Sequence, residues 1–337
     1  MNTMSRLVAL SLFVFLLLPS GVMAAKYKKQ TIMGATANPS VGQHGAFLNK
    51  FKEIVEKESD GAITVKLFFS GSMGDEVTNV KQLRNSELQI ASVFTGNLTS
   101  NAPSAMVLGL PYMFDSKEDA YALFRDKGFT DDLAEKIIKE ANVRPLAWIT
   151  GGFRNITNSK HPIKSINDLQ GLKIRVSPSA VQLAAFRAWG IEPHPMAWSE
   201  TYNALQQGVI DGQENPYVAI TDLKMWEIQK YVTEIHYMFW TGAVLASVDW
   251  FKKLDPDTRA LVEKAAREAQ EVEWVASAKI EEDGKEASLK HGMEIFAPSD
   301  EPVWKEKAQA IWKDFLKTPE SQALADKAVS VIKAAKK

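Results

Sequence analysis

Arg175, Asn215 and Trp198 are residue types that together can hold a small organic anion. A guanidinium is always charged, and its planar fork of donors matches a carboxylate through two parallel hydrogen bonds. An asparagine amide donates or accepts beside it, and a tryptophan supplies a flat apolar wall. Arg175 lies in Gly171-Leu172-Lys173-Ile174-Arg175-Val176. Strand alternation there turns Leu172, Ile174 and Val176 to one face and Lys173 and Arg175 to the other. It also puts Arg175 near the carboxyl end of a strand, where α/β sheets place ligand crevices. Trp198 follows Met196-Ala197. Asn215 ends Asp211-Gly212-Gln213-Glu214-Asn215, just before Pro216 stiffens the turn. Arg154 is a second cation, behind the flexible pair Gly151-Gly152 in the stretch Trp148 to Asn158.

Each of these residues also has a plainer reading by itself. Arg175 suits a surface ion pair, Arg154 a loop cation, Trp198 a core staple and Asn215 a turn that caps its own backbone. His44 suits an exposed helix start and Trp240 a core position. Asp75 and Glu76 suit the first turn of a helix, where the macrodipole favours acids. Other chemistries lack their residues. The chain has no G-x-x-x-x-G-K-[ST] phosphate loop, no G-x-G-x-x-G turn and no G-x-S-x-G elbow. Its histidines (His44, His161, His194, His236, His291) form no H-E-x-x-H pair, and it has no cysteine. We therefore expect no metal, no cofactor and no catalytic residue.

The elements needed to position an anion site alternate. Thr31–Ala35 reads as a strand. A helix follows with Phe47, Leu48, Phe51, Ile54 and Val55 on one stripe. Ile63–Phe69 alternates as a strand, Val77–Asn85 as a short helix and Leu88–Val93 as a further strand. The β-α-β-α-β order implies parallel strands with helical crossovers. Ser116 with Asp119 and Ser179 with Gln182 read as capping boxes, and Ser199 as the cap of a helix over Glu200–Gln207. Asp255 followed by Pro256 opens a long helix. It either breaks near Gly284 or runs on to Lys290 behind both halves of the molecule.

With 337 residues, 40 Lys+Arg against 41 Asp+Glu and 45% apolar content, the composition is that of an ordinary globular chain of about two domains. Near-zero net charge argues against nucleic-acid binding. Residues 1–25 read as a cleaved export signal: Arg6, an apolar run Leu7–Leu18, then small residues with cleavage near Ala24 or Ala25. The protein is then expected in the periplasm, with no lipid tether because no cysteine follows.

Taken together, these segments resemble the DctP-like periplasmic solute-binding receptors of TRAP transporters. The resemblance covers essentially the whole chain after the signal. It rests on Gly74-Asp75, on the Gly-x-Arg-Asn-x-Thr-Asn stretch, on Leu169–Val176, and above all on Met196 to Gln206 continuing through Asp211–Pro216. One departure is Ala197, where many members carry proline.

The resemblance implies an α/β, periplasmic-binding-protein-like fold. Two α/β lobes flank a ligand cleft, and a long helix spans both. Lobe I would comprise residues 26–151 with 241–280, and lobe II residues 152–240 with 281–337. It implies a carboxylate held by Arg175 with Asn215, Arg154 and Trp198, and substrate-dependent contacts at His44, Glu76, Phe94 and Trp240. It implies a monomeric receptor, not an enzyme, that delivers a small organic acid to TRAP permease subunits. Two alternatives are a receptor feeding a signalling partner and an exported enzyme using Glu76 or His44 as base. The aromatic set Trp198, Trp240 and Phe94 favours a partly apolar or aromatic acid.

Overall fold

The computed structural model describes residues 26–336. The reading of residues 1–25 as an export signal lies outside them. Among the described residues there are eleven strands: β1 Gln30–Ala35, β2 Ile63–Phe68, β3 Ile90–Phe94, β4 Val143–Phe153, β5 Asn155–Asn158, β6 Ile174–Val176, β7 His194–Pro195, β8 Gly212–Asn215, β9 Tyr231–Thr233, β10 Phe239–Ser247 and β11 Glu294–Phe296. They form two sheets, ordered β2-β1-β3-β10-β4 and β11-β9-β5-β8-β6-β7. In the first sheet β1 runs parallel to β2 and β3, while β10 is antiparallel to both β3 and β4.

Two crossing strands join the lobes. β4 passes into β5 through the single residue Arg154, and the chain returns from β9 to β10. The crossings are tied where the Arg154 N–H donates to the Met238 carbonyl at 2.9 Å.

Local sequence explains the main elements. Phe47, Leu48, Phe51, Ile54 and Val55, the expected stripe of the helix Gly42–Glu58, are all buried. The spine helix Pro256–Lys290 has 35 residues, about 52 Å of rise. Asp255 caps it, accepting from the Thr258 N–H at 3.0 Å. It does not break at Gly284. A Cβ there would meet Thr221 Oγ1 at 2.7 Å, so the glycine serves close packing of the helix Tyr217–Asp222.

The spine also covers the open edge of β4, which would otherwise leave strand amides unpaired. Gln270 accepts from Trp148 N–H at 2.8 Å and Trp274 donates to the Trp148 carbonyl at 2.9 Å. Glu273 accepts from Thr150 N–H and Ser277 donates to the Thr150 carbonyl at 2.6 Å.

Three local expectations are corrected. Ser116 does cap its helix, but Ser179 makes no side-chain cap and Gln182 turns inward instead. The helix expected over Glu200–Gln207 with Ser199 as its cap starts two residues earlier, at Trp198, with Ala197 at its cap. The C-terminal helix Pro319–Ala335, expected in the second lobe with residues 281–337, packs on first-lobe helices Lys117–Arg125 and Lys127–Ala141. Its Leu324, Ala325, Ala328 and Ile332 share the core that holds Phe124 and Phe129. Apolar complementarity, not chain order, decides its position.

Gly212 sits where β5 and β8 meet. A Cβ there would lie 2.1 Å from the Thr157 carbonyl oxygen. Backbone cannot yield as a flexible side chain can, so Gly212→Ala is expected to cost about 3 kcal/mol, read as a lowered urea midpoint.

Candidate functional site

Arg175 is the middle residue of β6, and its neighbours Ile174 and Val176 are buried in the apolar core. Alternation alone would group Arg175 with the exposed Lys173, yet all three residues of β6 are buried and Arg175 is 1% exposed. Its Nε and Nη2 donate to one acceptor, the Met196 carbonyl, at 3.0 and 2.6 Å. Its Nη1 has no protein partner among the described residues, and no carboxylate of theirs pairs with it. Trp198 lies against it, with the guanidinium carbon 5.5 Å from the ring centre. Burial pushes the Arg175 guanidinium down to about 10, against the pull of Glu214 and Glu76.

Arg154 is a cation of another kind. Its Nε and Nη2 meet the Glu214 carboxylate at 2.5 and 2.7 Å, and both side chains are almost fully buried. The antiparallel pairing of Asn155 with Asn215 brings these residues together across 60 positions. Gln182 and the Tyr237 hydroxyl donate to the same carboxylate, at 3.0 and 2.8 Å. Burial opposes charge on Arg154, but Glu214 outweighs it and holds the guanidinium above its usual value.

The first lobe supplies the facing wall. Glu76 opens the helix Glu76–Arg84 but does not point to solvent. Its carboxylate accepts from Asn97 at 2.6 Å, the Phe94 N–H at 3.0 Å and Asn38 at 3.2 Å. Burial raises its pKa, while those three bonds and the charge of Arg175 act the other way. His44 shares its Nδ1 with the Ser92 hydroxyl at 2.8 Å. Burial lowers its pKa to about 3, so the ring is neutral at physiological pH. Phe94 stacks on Trp240 at 5.6 Å, and Trp240 meets His44 edge-on at 5.2 Å.

All eight residues expected from sequence line one interlobe cavity: Arg154, Arg175, Trp198 and Asn215 from one side, His44, Glu76, Phe94 and Trp240 from the other. Asn38, Gln43, Asn97 and Ser177 line it too, and sequence reasoning missed them. Single amides and hydroxyls carry no motif, and only the fold places them here. The free space at the centre is ≈ 20 Å³, little more than a single water needs. An acid therefore enters only if the lobes part or these side chains move. A wider groove of ≈ 540 Å³ opens beside the crossing strands, where Glu234, Glu281 and Glu282 face Lys117 and Lys285, and none of the eight expected residues lines it. Among the described residues no cluster of metal-ligating side chains occurs, and no helix is long and apolar enough to cross a membrane.

The model of the bacterial extracellular solute-binding protein family 7, DctP, matches residues 33–318. A solute-binding protein of Roseobacter denitrificans is 36% identical over 245 residues, covering 72% of this chain and 73% of that protein. A TRAP periplasmic solute-binding protein from Rhodobacter sphaeroides, solved in an apo open state, is 40% identical. The alignment covers 90% of this chain and 99% of that one, with a TM-score of 0.74. The sugar-acid-binding protein DctPAm of Advenella mimigardefordensis, solved with galactonate, is 29% identical over 91% of this chain and 99% of that one. Its TM-score is 0.86, so the similarity is greater to an acid-bound structure than to an open one, despite the lower identity. The chain belongs to the DctP family of bacterial extracellular solute-binding proteins, the periplasmic receptors of TRAP transporters.

Proposed function

We propose that this protein is a periplasmic receptor for a sugar acid, a polyhydroxy monocarboxylate. It closes on the acid between its lobes and hands it, as a monomer, to TRAP permease subunits. The observation that carries this reading is the polarity of the cavity. At one end stands Arg175, a buried cation without a carboxylate partner. Around the rest stand acceptors: the Glu76 carboxylate, and Gln43 Oε1 and Asn97 Oδ1, both buried without a donor. A ligand carboxylate satisfies the first and ligand hydroxyls satisfy the others, because each hydroxyl brings a donor. A second carboxylate would be pushed toward Glu76, where like charges oppose each other.

This reading departs from the partly apolar or aromatic acid suggested by the three aromatic residues. Phe94, Trp240 and His44 pack on one another, and the remaining lining is rich in amides. The relatives point the same way. Beyond the galactonate complex, a Roseobacter denitrificans protein was solved with L-galactonate, and an Escherichia coli relative is a 2,3-diketo-L-gulonate-binding protein. A Bacillus subtilis relative is a C4-dicarboxylate-binding protein, which keeps succinate in the test. Binding without turnover is favoured because Glu76 is held by three donors and His44 Nδ1 by Ser92.

The test is calorimetry and thermal unfolding with D-galactonate, D-glucuronate, succinate and benzoate. At least one sugar acid is expected to raise stability by about 2.7 kcal/mol at a hundredfold excess over its Kd. Binding of succinate or benzoate with none of either sugar acid overturns the reading.

A further inference from the structure

The spine helix binds the β4 edge at Trp148 and Thr150, through residues 270 to 277. One turn further on, Glu281 stands beside Gly152, the next residue of that edge. Gly152 has φ +89°, and a Cβ there would fall 2.3 Å from the Glu281 carboxyl carbon. The Glu281 carboxylate itself reaches into the second lobe. It accepts from the Val218 N–H at 2.9 Å, with the Tyr217 N–H beside it. These amides open the helix Tyr217–Asp222, which begins two residues after Asn215. One carboxylate thus touches the hinge strand, the spine and the turn that carries a cavity residue.

We propose that Glu281 is a positioning residue for ligand binding, locking the Asn215-Pro216-Tyr217 turn to the hinge strand and the spine helix. It does not line the cleft, and it acts through Asn215. The proposal rests on the cleft being the ligand site. A residue that only filled space would be replaceable by any side chain of similar size. A residue that holds the Val218 amide at the start of that helix needs an acceptor oxygen.

Its surroundings give a second readout. Glu234 and His236 face it from the segment before β10, Lys285 and Glu282 from its own helix, and Lys117 from the first lobe. Glu234 is occupied by Lys285 at 2.7 Å and by the Tyr217 hydroxyl at 2.9 Å. Burial pushes the Glu281 carboxyl up to about 8, the two amides oppose this, and Glu234 adds to it. Between its ordinary value of 4.5 and about 8, the native protein keeps a proton that the unfolded chain has lost. Its contribution to stability therefore falls as pH rises through that window.

The experiment compares wild type, Glu281→Ala and Glu281→Gln. It combines sugar-acid calorimetry, thermal unfolding from pH 5 to 9, and hydrogen exchange of the ligand-free proteins. Glu281→Ala is expected to weaken binding about tenfold and to speed exchange at residues 217–218 by a similar factor, as leaving a buried backbone donor without its acceptor implies. Glu281→Gln keeps an acceptor and should stay within about threefold of wild type in affinity. Its unfolding midpoint should gain on wild type up to about pH 8 and then level off.

Unchanged affinity and unchanged exchange in Glu281→Ala overturn the proposal. Should that variant not fold, a midpoint difference between Glu281→Gln and wild type that stays constant with pH overturns it. If wild type binds no sugar acid, the ligand reading fails, and exchange at 217–218 still decides whether Glu281 holds the turn.

Discussion

Arg175→Ala is expected to weaken sugar-acid binding by about 30-fold to several thousandfold, the ~2–5 kcal/mol that follows loss of one partner of a buried charge pair. The reason is specific to this cation. Arg154 has a carboxylate of its own, whereas Arg175 has only the Met196 carbonyl. The ligand must supply the missing anion. Arg175→Lys keeps the charge but loses the planar fork, so it should recover only a small part of the affinity. Removing the charge acts oppositely on the ligand-free protein. A buried guanidinium without an anion is a stability cost, since removing charge from water is opposed by solvation. Arg175→Met, which keeps the volume, is expected to leave the unfolding midpoint unchanged or raised while abolishing ligand-induced stabilisation. Calorimetry and thermal unfolding of the same samples check both halves. Wild-type affinity in Arg175→Ala would remove the clamp assignment. A large fall in the midpoint of Arg175→Met would make the residue structural.

The legibility of this site followed the range of the interactions that build it. The stripe Phe47, Leu48, Phe51, Ile54 and Val55 and the Asp255-Pro256 start are local patterns, and both produced the expected helices. Alternation in β6 was local too and set Arg175 apart from the face of Leu172, Ile174 and Val176, but its burial comes from Met196 and Trp198 packed over it, which alternation does not contain. Ser179 and Gln182 matched a cap spacing, yet Gln182 goes to Glu214, 32 residues away, because a buried carboxylate attracts a donor more strongly than a helix end does. Glu76 looked like a first-turn acid, and it is one. Its carboxylate nevertheless serves Phe94, Asn97 and Asn38, which arrive from other elements. Arg154 and Glu214 were each visible as polar residues near the site. That they satisfy each other required the register of β5 on β8, which no short window of sequence contains.

That pair carries the second large effect. Arg154→Met is expected to destabilise the ligand-free protein by ~3–5 kcal/mol, because it strands Glu214 as a buried, unpaired carboxylate. The loss should lower the unfolding midpoint by about 5–8 °C. Gln182 and Tyr237 would still donate to Glu214, but hydrogen bonds alone do not cancel a full charge at 0% exposure. The double substitution Arg154→Met with Glu214→Gln removes that charge and keeps a side-chain acceptor for Tyr237. It is expected to regain most of the lost stability, an outcome that identifies the cost as electrostatic and not as lost packing. It also separates the two arginines in function. The double variant should lose less affinity than Arg175→Ala, because the Arg154 charge is already matched by the Glu214 carboxylate, whereas Arg175 meets only the Met196 carbonyl and leaves its charge for the acid. Equal losses of affinity at the two positions, with the midpoint of Arg154→Met unchanged, would instead make Arg154 a ligand clamp of the same rank. The crossing from β4 to β5 would then owe its rigidity to the Arg154–Met238 backbone bond and the spine ladder alone.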